Sequence, residues 1–287
     1  MKLAFRAKAW QADPARVARL GQRAVVALYD ELELAPKPGL VSFQDAGSHR
    51  DMDARTFMRS LFALRHAFPA LARLGAAGAP FAALEAQGIA AEGQMLRATG
   101  GVNTHRGAIF TLGLLCAAAG HRVSQGEEVG ADGLRHTLLA LWGPALAQRA
   151  SRSRDSHGSR AARAYGLRSV GVEAAEGFPL LFEVVWPRLS GALARGLPPH
   201  RARLEALFAA MAVLDDTNLV HRGGLAGLRF AQKAARDFLQ RGGGDRPDAQ
   251  AHALAIHRAF VAANLSPGGA ADVLAAACWL QRVTAAD

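Results

Sequence analysis

Three glycines, an amide, two hydroxyls, an imidazole and a guanidinium fall within nine residues, Thr99-Gly100-Gly101-Val102-Asn103-Thr104-His105-Arg106-Gly107, between two apolar, alanine-rich segments. A buried polar group without a partner costs about 1–3 kcal/mol, so a core helix has no use for this mixture. Glycine lets backbone N–H groups approach a ligand closely, and Arg106 and His105 suit anionic oxygens. The segment reads as a binding loop running into a helix that begins near Arg106. The plain alternative is a glycine-rich turn.

Other polar clusters share this character. Pro36-Lys37-Pro38-Gly39-Leu40-Val41 is followed by Gly47-Ser48-His49-Arg50-Asp51-Met52. Lysine occurs only four times against thirty arginines; one fixed between two prolines suits a point charge on a phosphate, or equally a rigid turn. His49 and Asp51, two apart in a loop, can share a ligand or a metal. Glu85 and Glu92 lie seven apart, hence on one helical face, and Glu92 is placed to approach the opening loop. Ser156-His157-Gly158 is a weak pair, with no Gly-x-Ser-x-Gly elbow to make Ser156 a nucleophile. Glu173 and Glu176, one helical turn apart, can bind a cation or act on a hydroxyl, or are plain surface charge.

Asp215-Asp216-Thr217-Asn218 precedes His221-Arg222-Gly223-Gly224. The spacing predicts a helix over 201–219, which puts both carboxylates near its C-terminal end, where negative charge is disfavoured unless Mg²⁺ or a donor receives it. Ser266-Pro267-Gly268-Gly269-Ala270-Ala271-Asp272 reads as a helix start whose glycine N–H groups suit a phosphate, or as an ordinary cap. The P-loop, Gly-x-Gly-x-x-Gly, His-Glu-x-x-His and Cys-x-x-Cys patterns are all missing.

Helices must position these clusters. Asp13-Pro14 is a cap and first-turn pair, followed by Val17, Leu20, Ala24, Leu28 and Leu32 on one apolar face. Phe57, Leu61, Leu64, Phe68 and Leu71 repeat the pattern, with Pro69 expected to end or kink that helix. Further helices are predicted over 80–98, 106–119 (stopped by Gly120), 131–149, 171–194, 201–219, 224–240, 250–263 and 269–284. Period-two alternation is almost absent. The expected fold is all-α: one multi-helix domain over 1–287, with its site in polar, glycine-rich inter-helix loops.

The formal charge is +10 in 287 residues, half of them hydrophobic. The excess is arginine spread along the whole chain, without a basic run or an aromatic-interleaved stripe, which argues against nucleic acid and allows small polyanions. No apolar run reaches the roughly 18 residues of a membrane span, and the first thirteen residues lack a secretory pattern. Cys116 and Cys278 read as buried apolar residues. A cytoplasmic enzyme is expected.

Taken together, the clusters resemble the triphosphoribosyl-dephospho-CoA synthase family. Seven segments recur in family order from about residue 20: Glu31 with Pro36–Val41; Gly47-Ser48-His49 with Asp51-Met52; Thr99–Gly107; Ser156-His157-Gly158; Glu173-Ala174 with Gly177-Phe178-Pro179; Asp216-Thr217-Asn218 with Arg222-Gly223-Gly224; and Ser266–Gly269 with Ala271-Asp272. The resemblance implies that a ribosyl hydroxyl of 3′-dephospho-CoA displaces adenine from ATP. The product is the prosthetic-group precursor for an acyl-carrier subunit, of malonate decarboxylase or of citrate lyase. After Pro-Gly-Leu-Val this chain has Ser42 where many relatives carry aspartate, and the segment through His49 looks like the malonate decarboxylase branch.

Transfer at a ribose C1′ asks for carboxylates, as glycoside hydrolysis does, and for basic donors around the triphosphate. Asp51, Glu92, Glu173 and Asp216 are the candidate general base and Mg²⁺ ligands, with Glu173 and Asp216 nearest to a metal role and Mg²⁺ expected alongside ATP. Lys37, His105, Arg106 and Arg222, with the N–H groups of Gly100, Gly101, Gly268 and Gly269, are the candidate phosphate donors. His49, Asn103, Thr104, Ser156, His157 and Asn218 complete the candidate ATP-binding set. A Mg²⁺-dependent helical hydrolase of ADP-ribosyl-type bonds is the competing enzyme reading.

Overall fold

The computed structural model describes residues 13–151 and 164–285. Their regular elements are helical: α1 Pro14–Glu33, α2 Ala54–Leu64, α3 Ala67–Ala76, α4 Phe81–Thr99, α5 Arg106–Ser124, α6 Ala131–Ser151, α7 Val170–Ala175, α8 Trp186–Ala194, α9 Pro199–Val213, α10 Thr217–Gln240, α11 Ala249–Ala262 and α12 Gly268–Thr284. A π-helical turn, Leu180–Val185, leads into α8, and a 3₁₀ turn, Gly243–Asp245, follows α10. The all-α expectation is met, and one continuous apolar core runs through these helices. As predicted, Asp13 caps α1, its Oδ1 accepting the Ala15 N–H at 2.9 Å, with Pro14 at the first helical position, where no N–H is needed.

Two helices form the centre. α5 packs against α1, α3, α4, α6 and α12, while α12 packs against α1, α5 and α9. Cys116, Ala117, Ala118 and Ala119 of α5 and Cys278, Trp279 and Leu280 of α12 are fully buried. The indole of Trp279 donates to Leu20 O at 2.9 Å, tying α12 to α1. Both cysteines are free and buried, as expected; burial raises both thiols, Cys278 to about 12, so neither is a nucleophile near neutrality. By length and composition α5 could span a membrane, against the sequence expectation, but 72% of its most apolar stretch is buried in the protein.

Several boundaries differ from their predictions. Gly120 does not stop α5, which continues to Ser124. It is a contact point: a Cβ there would stand 2.0 Å from Ala72 O of α3. Pro69 neither ends nor kinks a helix but lies in the first turn of α3, after a break at Arg65-His66, where its missing N–H costs nothing. The helix expected over 171–194 is cut at Gly177 (φ 75°) and Phe178 (φ 52°).

The helix expected over 201–219 ends at Val213, and α10 starts at Thr217 with Asp216 as its N-cap. Helix 224–240 is thus the later part of α10, bent at Gly224 (φ 62°, ψ −166°), a conformation essentially confined to glycine. The break at Leu214-Asp215-Asp216 corrects the electrostatic argument for Mg²⁺. The carboxylates face a helix N-terminus, where negative charge is favoured.

Candidate active site

Four helices, α5, α7, α10 and α12, begin at one cleft of about 1030 Å³, and residues from the first turn of each line it. A volume of this size lies at the upper end of small-molecule sites, which run to about 1,000 Å³. Helix N-termini present free N–H groups and a positive dipole end. The guanidinium-bearing residues Arg106, Arg149, Arg168 and Arg222 also line the cleft. The result is a pocket in which anion-binding donors stand among carboxylates that outnumber the arginines.

Those carboxylates are held in different ways. Glu92 pairs with Arg106 across the opening loop, and Arg106 N–H donates to Asn103 Oδ1 at 3.1 Å, which satisfies the first N–H of α5. Arg168 donates to Glu173 through Nε (2.9 Å) and Nη2 (2.8 Å), and Glu173 Oε2 accepts the Leu180 N–H at 3.2 Å. This bond holds the start of the π-helical turn. Beside it, Phe178 keeps its left-handed conformation, with its N–H on Glu173 O at 2.7 Å; for a non-glycine residue that costs of order 1–2 kcal/mol. Arg168 also reaches Glu176 at 2.6 Å, and its own N–H donates to Asp215 at 3.1 Å. Arg149 pairs with Glu85 at 3.1 Å and lies 4.3 Å from the Phe110 ring centre.

Asp216 is 2% exposed. Its Oδ1 accepts Asn218 N–H at 2.9 Å and its Oδ2 accepts Ala270 N–H at 3.1 Å, with Leu219 and Gly269 N–H groups also facing it. Burial pushes its pKa up while these donors oppose the shift. It therefore stitches the start of α10 to the start of α12. The phosphate-binding role expected of the Gly268-Gly269 amides is accordingly reduced, because the Gly269 N–H already faces an internal anion.

His49 and Arg222 form a second wall. An arginine only donates, so the 3.0 Å contact from Arg222 Nη2 makes His49 Nδ1 the acceptor. Nε2 then carries the proton and donates to Ser266 Oγ at 2.9 Å. Burial and the neighbouring Arg222 charge lower the His49 pKa, keeping the ring neutral. Arg222 also donates to Ser48 O (2.9 Å) and Asn264 Oδ1 (3.0 Å), pinning two loops together. Asp51 stands 3.6 Å from His49 Nδ1 with a largely exposed side chain, at the mouth of the cleft.

His105 is 3% exposed. Thr104 Oγ1 donates to Ser60 Oγ at 2.8 Å, and Ser60 Oγ lies 2.6 Å from His105 Nδ1. A hydroxyl donates one bond and accepts two, so the Ser60 contact occupies Nδ1 in either tautomer. The other ring nitrogen, Nε2, is buried and without a hydrogen-bond partner. Burial, then the Lys37 charge, depresses the pKa to about 3. His105 is therefore neutral and not the cation that the sequence suggested.

Other expectations are corrected. Lys37 does not line the cleft; its ammonium is fully buried on Glu31 Oε1 (2.5 Å) and Glu31 O (2.7 Å). Breaking such a buried pair costs about 3–5 kcal/mol, so Lys37 is a structural counter-ion to Glu31 and not a phosphate ligand. Gly100 and Gly101 lie outside the lining as well, and both their N–H groups cap α4 at Leu96 O. Ser42 Oγ accepts the Gln44 N–H at 3.1 Å within a turn. Ser156 and His157 fall outside the described residues.

Thus Asp51, Glu92, Glu173, Asp216, His49, Asn103, Thr104, His105, Arg106, Asn218, Arg222, Gly268 and Gly269 do share one cleft. Sequence reasoning missed Arg168, which looks like any other of thirty arginines, and Ser60, an ordinary helical serine. Asp272 entered only as the end of a capping segment.

An all-helical enzyme with arginines, helix N-termini and buried carboxylates around one cleft is suited to chemistry on a polyanionic substrate. The chain belongs to the ATP:dephospho-CoA triphosphoribosyl transferase family, whose model matches residues 17–287. A probable 2-(5''-triphosphoribosyl)-3'-dephosphocoenzyme-A synthase of Stutzerimonas stutzeri is 40% identical over 279 residues, covering 95% of this chain and 94% of the relative. Proteins of the same description from Pseudomonas fluorescens (39% identical; 96% and 94% covered) and Acinetobacter calcoaceticus (38% identical; 92% and 91% covered) are similar over nearly the same span. No solved structure matches the chain.

Proposed function

We propose that this transferase joins ATP and 3′-dephospho-CoA in the cleft described above and that its product serves the acyl-carrier subunit of malonate decarboxylase. The observation that carries the substrate placement is the convergence of four helix N-termini with Arg106, Arg149, Arg168 and Arg222. Fixed N–H dipoles and guanidinium donors suit an intact triphosphate, which must stay on the ribose while adenine leaves. The carboxylates set among them suit the positive charge that develops at the ribose C1′. The pathway assignment rests on the segment from Ser42 to His49.

The residues do not form a cage for Mg²⁺. Glu173 is neutralised by Arg168, and both oxygens of Asp216 accept backbone N–H groups. Among the described residues no group of three or more metal-ligating side chains converges. Mg²⁺ stays in this reading only as the counter-ion of the ATP substrate.

Mass spectrometry after incubation of the full chain with ATP, Mg²⁺ and 3′-dephospho-CoA tests the reaction. Dephospho-CoA gaining a triphosphoribosyl group, with adenine released only when the acceptor is present, is the expected result. Unchanged dephospho-CoA would refute it, and adenine release without acceptor would favour the hydrolase. Deleting the gene in its host should abolish growth on malonate and spare growth on citrate; the reverse would assign the product to citrate lyase.

A further inference from the structure

The cleft carboxylates divide by what neutralises them. Glu31 has Lys37, Glu85 has Arg149, Glu92 has Arg106 and Glu173 has Arg168. Asp51 stands at the exposed mouth beside His49, Asp215 accepts the backbone N–H of Arg168, and Asp216 is surrounded by backbone donors. Asp272 lines the same cleft and has no cationic partner among the described residues. It lies in the second turn of α12, where its carboxyl faces the Ala108 N–H of α5. Its Oδ2 presses against Gly107: a Cβ at that position would come within 2.0 Å of it. The last glycine of the opening loop is therefore the space that Asp272 occupies, so the first turn of α5 packs directly on its carboxyl.

We propose that Asp272 is the general acid of the ribosyl transfer. This rests on the reading of the cleft as the site where ATP meets 3′-dephospho-CoA. In the step, the acceptor hydroxyl oxygen bonds to the ribose C1′ of ATP while the C1′–N9 bond breaks and its electron pair leaves with adenine. Asp272 delivers its proton to a ring nitrogen of the departing base, and the attacking hydroxyl releases its proton to solvent. Uptake of one proton from solvent restores Asp272, so the step consumes no net acid or base.

The electrostatics agree with this role. Burial, then the negative charges of Asp216 on α10 and Glu31 on α1, holds Asp272 well above the usual carboxylate range. The single N–H donor from α5 opposes this weakly, whereas Asp216 has four backbone donors that favour its anion. Lys37 is occupied by Glu31, and the neighbouring imidazole of His105 is neutral. Of the two carboxyls, Asp272 is thus the one whose environment favours the protonated form that a general acid needs.

The test compares wild type with Asp272→Asn in the full chain, following adenine release, ATP binding by calorimetry and the pH profile of kcat. Asp272→Asn is near-isosteric, keeps an acceptor for Ala108 N–H and is checked for folding by circular dichroism. It should bind ATP within about threefold of wild type while kcat falls by about 10²–10⁴-fold, the usual contribution of a general acid. Its pH profile should lose the alkaline limb. An ATP analogue whose purine is methylated at N7 carries a cationic base that leaves without protonation, so it should restore the variant to within about tenfold of wild type. A kcat within fivefold of wild type, or an equal loss on both substrates, overturns the assignment while the transferase reading stands. A wild-type protein that makes no product overturns both.

Discussion

At the residue scale, the site works by assigning each polar group one partner, and His105 shows what an unassigned one means. Its Nδ1 is occupied by Ser60 while Nε2 is buried with no hydrogen-bond partner in a residue that lines the cleft. A stranded buried polar atom costs about 1–3 kcal/mol, which a substrate partner can recover. His105→Gln, whose terminal amide lies near Nε2, should leave KM for ATP within about threefold. His105→Asn, which places its amide near Nδ1, should raise it by about tenfold. Steady-state kinetics separate them, and equal behaviour would remove the role of Nε2 in binding.

The same group fixes a pH dependence. The folded pKa of about 3 lies below the ordinary 6.5, so between these values the unfolded chain takes up a proton that the folded ring refuses. Stability from this group is complete above pH 6.5 and is lost as pH falls towards 3. Urea unfolding at pH 7 and pH 4.5 should therefore show a smaller difference for His105→Gln than for wild type.

At the element scale, glycines decide how closely helices pack, and sequence periodicity reads such positions as breaks. Gly120 lies inside α5 against Ala72 O, and Gly75 of α3 lies against Ala117 O, so α3 and α5 touch backbone to backbone. Gly88 in α4 has nothing within 4 Å of where its Cβ would be. Gly120→Ala should destabilise by about 1–3 kcal/mol through overpacking, whereas Gly88→Ala should stabilise by about 0.4–1 kcal/mol by restricting the unfolded chain. Denaturant midpoints check both; equal effects would show that the close crossing of α3 and α5 is not rigid. The α9–α10 junction carries a related lesson. Asp215 and Asp216 look like the unhappy end of a helix until the chain breaks at Leu214 and turns Asp216 into a cap.

At the scale of the whole molecule, the two central helices, α5 and α12, start where the substrates are read to bind. Apolar packing along α5 and α12 therefore fixes the position of Arg106, Gly107, Gly269 and Asp272. A ligand joining the first turns of α5, α7, α10 and α12 bridges elements far apart in the chain and stabilises the folded state as a unit. ATP at 100 times its Kd is worth about 2.7 kcal/mol, equivalent to a rise in Tm of roughly 5–10 °C for a protein near this size. Arg168→Ala should lose most of that rise, since it removes a cleft cation and releases Glu173. Thermal unfolding with and without ATP measures it, and a full shift in the variant would place the triphosphate elsewhere.

The sequence by itself determined the helical class, the Asp13-Pro14 start of α1, the buried cysteines and the polar clusters that meet in the cleft. Those features depend on local periodicity, capping chemistry and composition, which neighbouring residues decide among themselves. Only the tertiary structure decided the allegiance of each polar group: Lys37 to Glu31, the Gly100 and Gly101 amides to Leu96, Asp216 to the starts of two helices, and Asp272 to the space left by Gly107. Hydrogen bonds and charge pairs are short-ranged, so their partners depend on which distant segments packing brings within a few ångströms. Glu92 and Arg106 carry the same charges in the sequence as in the cleft; packing makes them partners and leaves Asp272 without one.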